Sequence, residues 1–164
     1  GEVEQNTPYS FDRSRLKVSG ELRVFSNIRL SAGYDRTDLN RDYQEVAEQT
    51  EDTGWGQLRW QPVSWFDLRA RGGASERDIE SYDETLAVSL GQNPLLRKYT
   101  LAYRYREFGE LAATVSMRDK PFSIGITALV ADDDYSRSKL GMTMSEEQRI
   151  AVDINWAIGE NAST

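Results

Sequence analysis

A chain of 164 residues with neither Cys nor His excludes disulfides, thiolate or imidazole metal sites and covalent c-type haem attachment, and it lacks the usual general base near neutral pH. Its formal net charge of −7 argues against a general nucleic-acid binder, which is normally basic. Apolar residues make up only 38%, which fits a sheet wetted on one face better than a large dry core.

Along the chain the dominant signal is a two-residue alternation. Successive side chains of a strand point to opposite faces, so such a segment has one apolar and one polar face. Leu16, Val18, Gly20, Leu22 and Val24 alternate with Lys17, Ser19, Glu21 and Arg23, predicting a strand over Arg13–Val24. A short turn near 25–27 leads to a second strand, Ile28–Arg36, and polar sequence over about 37–52 separates it from a third, Thr53–Trp60. The turn at 61–64 contains Pro62, which suits a turn better than a central strand. A fourth strand covers Trp65–Arg77 and a long connection about 78–99. A fifth strand, which begins as early as Tyr99, ends at Met117 before a turn at 118–121. The sixth strand is Phe122–Ala131, a polar loop follows at about 132–147, and Gln148–Ile158 is the seventh. The expectation is therefore all-β: about seven antiparallel up-and-down strands in one segment, 1–164.

The apolar face belongs either in the core of a soluble antiparallel sandwich or barrel, or against lipid. Three features favour lipid. The strands approach the ~9–11 residues that cross a bilayer at a tilt. The loops alternate short and long, as in outer-membrane barrels. Aromatics gather at strand ends, with Phe25, Trp60, Trp65, Phe66, Phe122 and Trp156 near the short turns and Tyr34 and Trp55 towards the long loops. These eight are the candidate membrane-interface aromatics. Seven strands do not close a bacterial barrel of even strand number, so the expectation is an arc of a larger one. The polar face carries Arg23, Arg29, Arg59, Arg69 and Arg71, the candidate residues for a lumen or partner contact.

Several motifs resemble the MtrB/PioB family of outer-membrane β-barrels. They are Pro8-Tyr9-Ser10-Phe11-Asp12-Arg13, Asn93-Pro94-Leu95-Leu96-Arg97-Lys98-Tyr99, and Ala131-Asp132-Asp133-Asp134-Tyr135 with Leu140-Gly141. The hairpin from Trp55-Gly56-Gln57-Leu58-Arg59-Trp60 to Phe66-Asp67-Leu68-Arg69 joins them. The resemblance implies a bacterial outer-membrane barrel, longer than this chain, that sheathes a periplasmic decahaem c-type cytochrome. Electrons would pass through that assembly across the outer membrane, on occasion to an outer-surface multihaem cytochrome. It implies no catalytic residue, no metal and no cofactor in this chain, the haem being the partner's. A general outer-membrane porin and a soluble β binding module are the alternatives.

Weaker signals have plainer readings. Asp132-Asp133-Asp134 offers hard oxygen ligands for Ca²⁺ but lacks EF-hand spacing and reads as a solvated loop. Arg97-Lys98-Tyr99 with Arg104 and Arg106 interleaves basic and aromatic residues as single-strand binders do, against an acidic total. Leu86–Leu96 is expected to fold into the lumen or onto the rim, since an exposed apolar loop is costly.

Overall fold

The computed structural model describes residues 10–42, 44–117 and 122–156. Seven long strands form one antiparallel sheet in chain order: β1 Phe11–Phe25, β2 Ile28–Arg41, β3 Glu48–Val63, β4 Phe66–Ile79, β6 Arg104–Ser116, β7 Phe122–Asp134 and β9 Met144–Trp156. A short helix, α1 Glu84–Ser89, lies between β4 and β6. Two-residue strands β5 Leu96–Arg97 and β8 Leu140–Gly141 pair in parallel beside the sheet. Among the described residues β1 and β9 do not pair with each other, so the sheet is an open arc.

The strands outrun the apolar alternation at the long-loop end. Residues 37–41 and 48–52 belong to β2 and β3, and 132–134 and 144–147 to β7 and β9. Alternation reports where one face is apolar, whereas backbone pairing continues wherever a neighbouring strand offers hydrogen bonds. Pro62 lies within β3, at a register shift between Trp60 and Val63, so the turn is Ser64-Trp65. An irregular register frees Pro62 from donating an N–H it does not have. β6 begins at Arg104, later than Tyr99. The turn at 118–121 and the end of the seventh strand beyond Trp156 lie outside the described residues.

Register puts every apolar set on one side. One row reads Leu22–Leu30–Leu58–Ala70–Leu111–Ala128–Ile150 across all seven strands. Nothing in the described structure covers this face: Ile150 is 78% exposed, Ile154 66% and Leu22 65%. Among the described residues, buried apolar side chains occur only near the long loops: Leu39, Val46, Ala87, Leu101, Ala102, Ala131 and Tyr135. A soluble sandwich would bury the sheet face instead.

The apolar band also steps obliquely across the register. Its long-loop limit is Leu16 on β1 and Ile150 on β9, and Ile150 shares a row with Leu22, six residues further along β1. Six residues over six strand steps, with a rise of ~3.3 Å and a strand spacing of ~4.8 Å, put the strands about 35° from the normal of a level band. From Phe66 to Ala74 that tilt gives an apolar height of about 22 Å, near the ~25 Å of outer-membrane barrels.

The long loops fold together as a cap. The Asp83 carboxylate accepts from the backbone N–H groups of Thr85 and Leu86 and so caps α1, which buries Ala87. Glu45, only 1% exposed, accepts from Lys98 Nζ at 2.6 Å, and the Asp83 N–H donates to the Glu45 carbonyl at 2.7 Å. Glu84 receives Lys139 at 3.1 Å and Arg97 at 3.2 Å. The Arg97 guanidinium also lies 3.7 Å from the centre of the Tyr82 ring. Burial pushes the Glu45 carboxyl up, but Lys98, a backbone N–H and Gln92 together more than offset it and hold the group below its ordinary value. Lys139, then Arg97, hold Glu84 below its ordinary value. Carboxyls depressed in the folded state contribute stability that is present above the unfolded carboxylate pKa of ~4.3 and lost as pH falls through the folded value. Amide protection factors in residues 83–101 of the intact barrel should therefore fall below about pH 4 while those of β3 and β4 are retained. In Lys98→Met, which strands a buried carboxylate and so raises its folded value, protection should already be reduced at neutral pH and should recover as pH falls through that raised value.

Candidate functional site

The polar face is concave. Side chains from β1 (Arg13, Arg15) and from β9 (Ser145) line one cavity of about 580 Å³, so the sheet curls around this side. Tyr99 and Thr100 of the cap line the same cavity, and Arg77 of β4 donates to the Tyr99 carbonyl at 3.1 Å. The long connection thus folds over the polar face at the mouth.

From β3 to β9, charge at the long-loop end of this face is satisfied internally, whereas Arg13, Arg15 and Arg41 of β1 and β2 have no ion-pair partner among the described residues. Glu51 of β3 accepts from Arg104 at 2.7 Å, Arg77 at 3.2 Å and the Ser75 hydroxyl at 3.1 Å. Arg106 grips Asp133 with two nitrogens, at 2.7 and 3.1 Å, and reaches Glu147 at 3.2 Å. Arg149 pairs with Glu147 in turn. Five adjacent strands, β3, β4, β6, β7 and β9, are thereby laced by alternating charges, with Arg104 and Asp133 buried. Pairing is what lets such charges sit in a protein wall. The basic residues that suggested nucleic-acid stacking are engaged here or in the cap. Asp133 faces inward while Asp132 and Asp134 alternate to the other side, so the three acids do not converge. Among the described residues no group of acidic side chains is placed to hold a metal.

Midway down, Trp55 lies across Gly33: a Cβ there would come within 2.5 Å of its ring. The Arg71 guanidinium sits 4.8 Å from the Trp55 ring centre and 5.8 Å from that of Phe108. This corrects the expectation for Trp55. It pairs with Gly33 and Gly73 on the polar side and is no lipid-facing aromatic, because a strand position of odd parity cannot share a face with Trp60. Of the other candidate aromatics, Tyr34, Trp60, Phe66, Phe122 and Trp156 stand on the apolar face by register. Phe25 pairs with Ile28 across a register shift that returns it to that face, and Trp65 lies in the β3–β4 turn. Phe66 meets Trp60 and Trp65 edge-on, each with centroids 6.3 Å apart. The Tyr34 hydroxyl donates to Asp52 at the opposite border.

All five candidate arginines stand on the polar face, and four form one row: Arg23 opposes Arg29, Arg29 opposes Arg59, and Arg59 opposes Arg69. Arg71 is one row nearer the long loops, opposite Gln57 and Glu110. Arg59 Nε is 2.6 Å from Asp67 and Arg29 is 3.8 Å from Glu21, whereas Arg23 and Arg69 have no ion-pair partner among the described residues. Alternation alone put these residues on one face; only register shows that they are neighbours. The charge lacing and the Trp55–Gly33–Gly73 packing escaped sequence reasoning for the same reason.

The geometry agrees with what the chain matches. The family model for outer membrane beta-barrel porins of the MtrB/PioB type matches residues 1–164. The outer membrane protein MtrB of Shewanella baltica (strain OS185) is 32% identical over 161 residues, covering 98% of this chain. The chain spans 23% of that relative's length. The chain belongs to the MtrB/PioB family of outer-membrane β-barrels, and its sheet is part of such a barrel wall in the outer membrane.

Proposed function

We propose that the complete barrel sheathes a multihaem c-type cytochrome and so insulates a path for electrons across the outer membrane. The observation that carries this reading is the division of labour between the two faces. The outer face offers lipid a continuous apolar band, while the inner face is concave, highly charged and equipped to meet protein or water. The chain has no His or Cys to ligate haem, so the redox groups would be the partner's, a periplasmic decahaem cytochrome in the first instance. A closed wall without sheet edges in lipid is what such a partner needs to cross hydrocarbon.

Reconstitution tests this. The full-length barrel and its cytochrome in liposomes should reduce an enclosed electron acceptor from an external donor, and either component alone should not. Equal transfer by the cytochrome alone would overturn the reading. Large steady ion conductance by the barrel with the cytochrome bound would favour a general porin instead.

A further inference from the structure

We infer that the row Arg23–Arg29–Arg59–Arg69 is a carboxylate-docking collar that seats an acidic polypeptide segment of the enclosed partner. The inference rests on the sheath reading above and adds which part of the wall holds the partner and by what chemistry.

Four guanidiniums on adjacent strands stand ~4.8 Å apart at the backbone, and like charges directly opposite one another in a sheet are destabilising. The wall supplies only two carboxylates to them, Asp67 and Glu21, leaving Arg23 and Arg69 with none among the described residues. The other end of the same face behaves differently, since Arg77, Arg104 and Arg106 are all engaged by Glu51, Asp133 and Glu147. From β3 to β9 the long-loop end is thus closed by its own charges; Arg13, Arg15 and Arg41, at that end of β1 and β2, line the cavity that Tyr99 and Thr100 also line, whereas the arginine row lies at the opposite, short-turn end.

The row also has room beside it. It continues on β6, β7 and β9 as Ala112, Thr127 and Ala151, small residues over which a partner can approach the wall. All four arginines lie near the short turns: Arg23 and Arg29 flank Ser26-Asn27, and Arg59 and Arg69 flank Ser64-Trp65. That end is periplasmic in outer-membrane barrels, where a soluble partner would enter.

Charge over the whole inner face points the same way. Thirteen of the chain's 20 Lys and Arg side chains stand on this face of the described strands, against eight of its 27 carboxylates. A chain of net charge −7 therefore turns a cationic surface inward. The complement of that surface is acidic. Arginine's planar fork binds carboxylate with two hydrogen bonds, which gives register as well as attraction.

The test uses the full-length barrel and two probes. The double variant Arg23→Gln/Arg69→Gln removes the two arginines of the row that have no ion-pair partner among the described residues, so none of the described acids is left stranded. Its affinity for the cytochrome should fall about tenfold or more at low salt, since hydrogen bonds to charged groups are among the stronger ones. The deficit should shrink at high salt, where screening weakens both proteins. Equal affinity and equal salt dependence in wild type and variant would overturn the proposal. The second probe is poly-L-glutamate added from the short-turn side to the empty barrel in a planar bilayer. It should block wild-type conductance, block the variant at least tenfold less well, and be unmatched by poly-L-lysine. If the wild type binds no cytochrome but poly-L-glutamate still blocks it selectively, the sheath reading fails and the carboxylate collar stands. If the variant alters only chloride selectivity, with block unchanged, the row is an ion filter and the docking proposal is wrong.

Discussion

Ile126→Arg should destabilise the folded barrel by about 2–4 kcal/mol, the cost of a guanidinium on the lipid face near the membrane midplane, while Thr127→Arg changes stability by less than about 1 kcal/mol. The two positions are adjacent on β7. Ile126 is 51% exposed and sits in the apolar row between Ala113 and Val152, so its replacement meets hydrocarbon. Thr127 lies between Ala112 and Ala151 on the opposite face, where a long side chain has small neighbours and an aqueous or protein environment. Equilibrium folding of the full-length barrel into bilayers measures both. Equal penalties would mean that the two faces do not see different solvents.

Gly73→Val should be the most damaging change at the sheet's centre, costing about 3 kcal/mol or more through overpacking. A Cβ at Gly73 would lie 2.2 Å from the Gly54 carbonyl oxygen and 2.9 Å from the Trp55 Cα, which are backbone atoms that move only if β3 moves. Gly33→Val has a different remedy, because its obstacle is the Trp55 ring. Trp55→Ala should therefore rescue Gly33→Val and leave Gly73→Val defective. Gly56→Val, on the apolar face with nothing within 4 Å of the new Cβ, should fold like the wild type. The fraction of heat-modifiable, folded barrel in isolated outer membranes reads all four.

Much of the wall was legible in the sequence because period-two alternation is a local property. Leu16 to Val24 declare their face without reference to any neighbour. What depends on register was not legible. Trp55 reads as one of a band of aromatics until its pairing with Gly33 and Gly73 turns it inward. The arginines read as scattered lumen charges until four prove to be adjacent. Strand ends are not legible where both faces are polar, as over 37–41 and 48–52, because alternation marks the lipid boundary and not the end of pairing. Helix α1 is too short to show a period, although Asp83 followed by Glu84 carries the chemistry of a helix start.

The most direct test of the central claim, that one face meets lipid and the other water or protein, is spin labelling of β3 in the full-length barrel within bilayers. Single labels at residues 54–60 would be read for collision with oxygen, which concentrates in hydrocarbon, and with a water-soluble nickel chelate. A strict alternation is expected: positions 54, 56, 58 and 60 favour oxygen, and 55, 57 and 59 favour the chelate or are shielded from both. Uniform accessibility along the strand, or the opposite alternation, would contradict it.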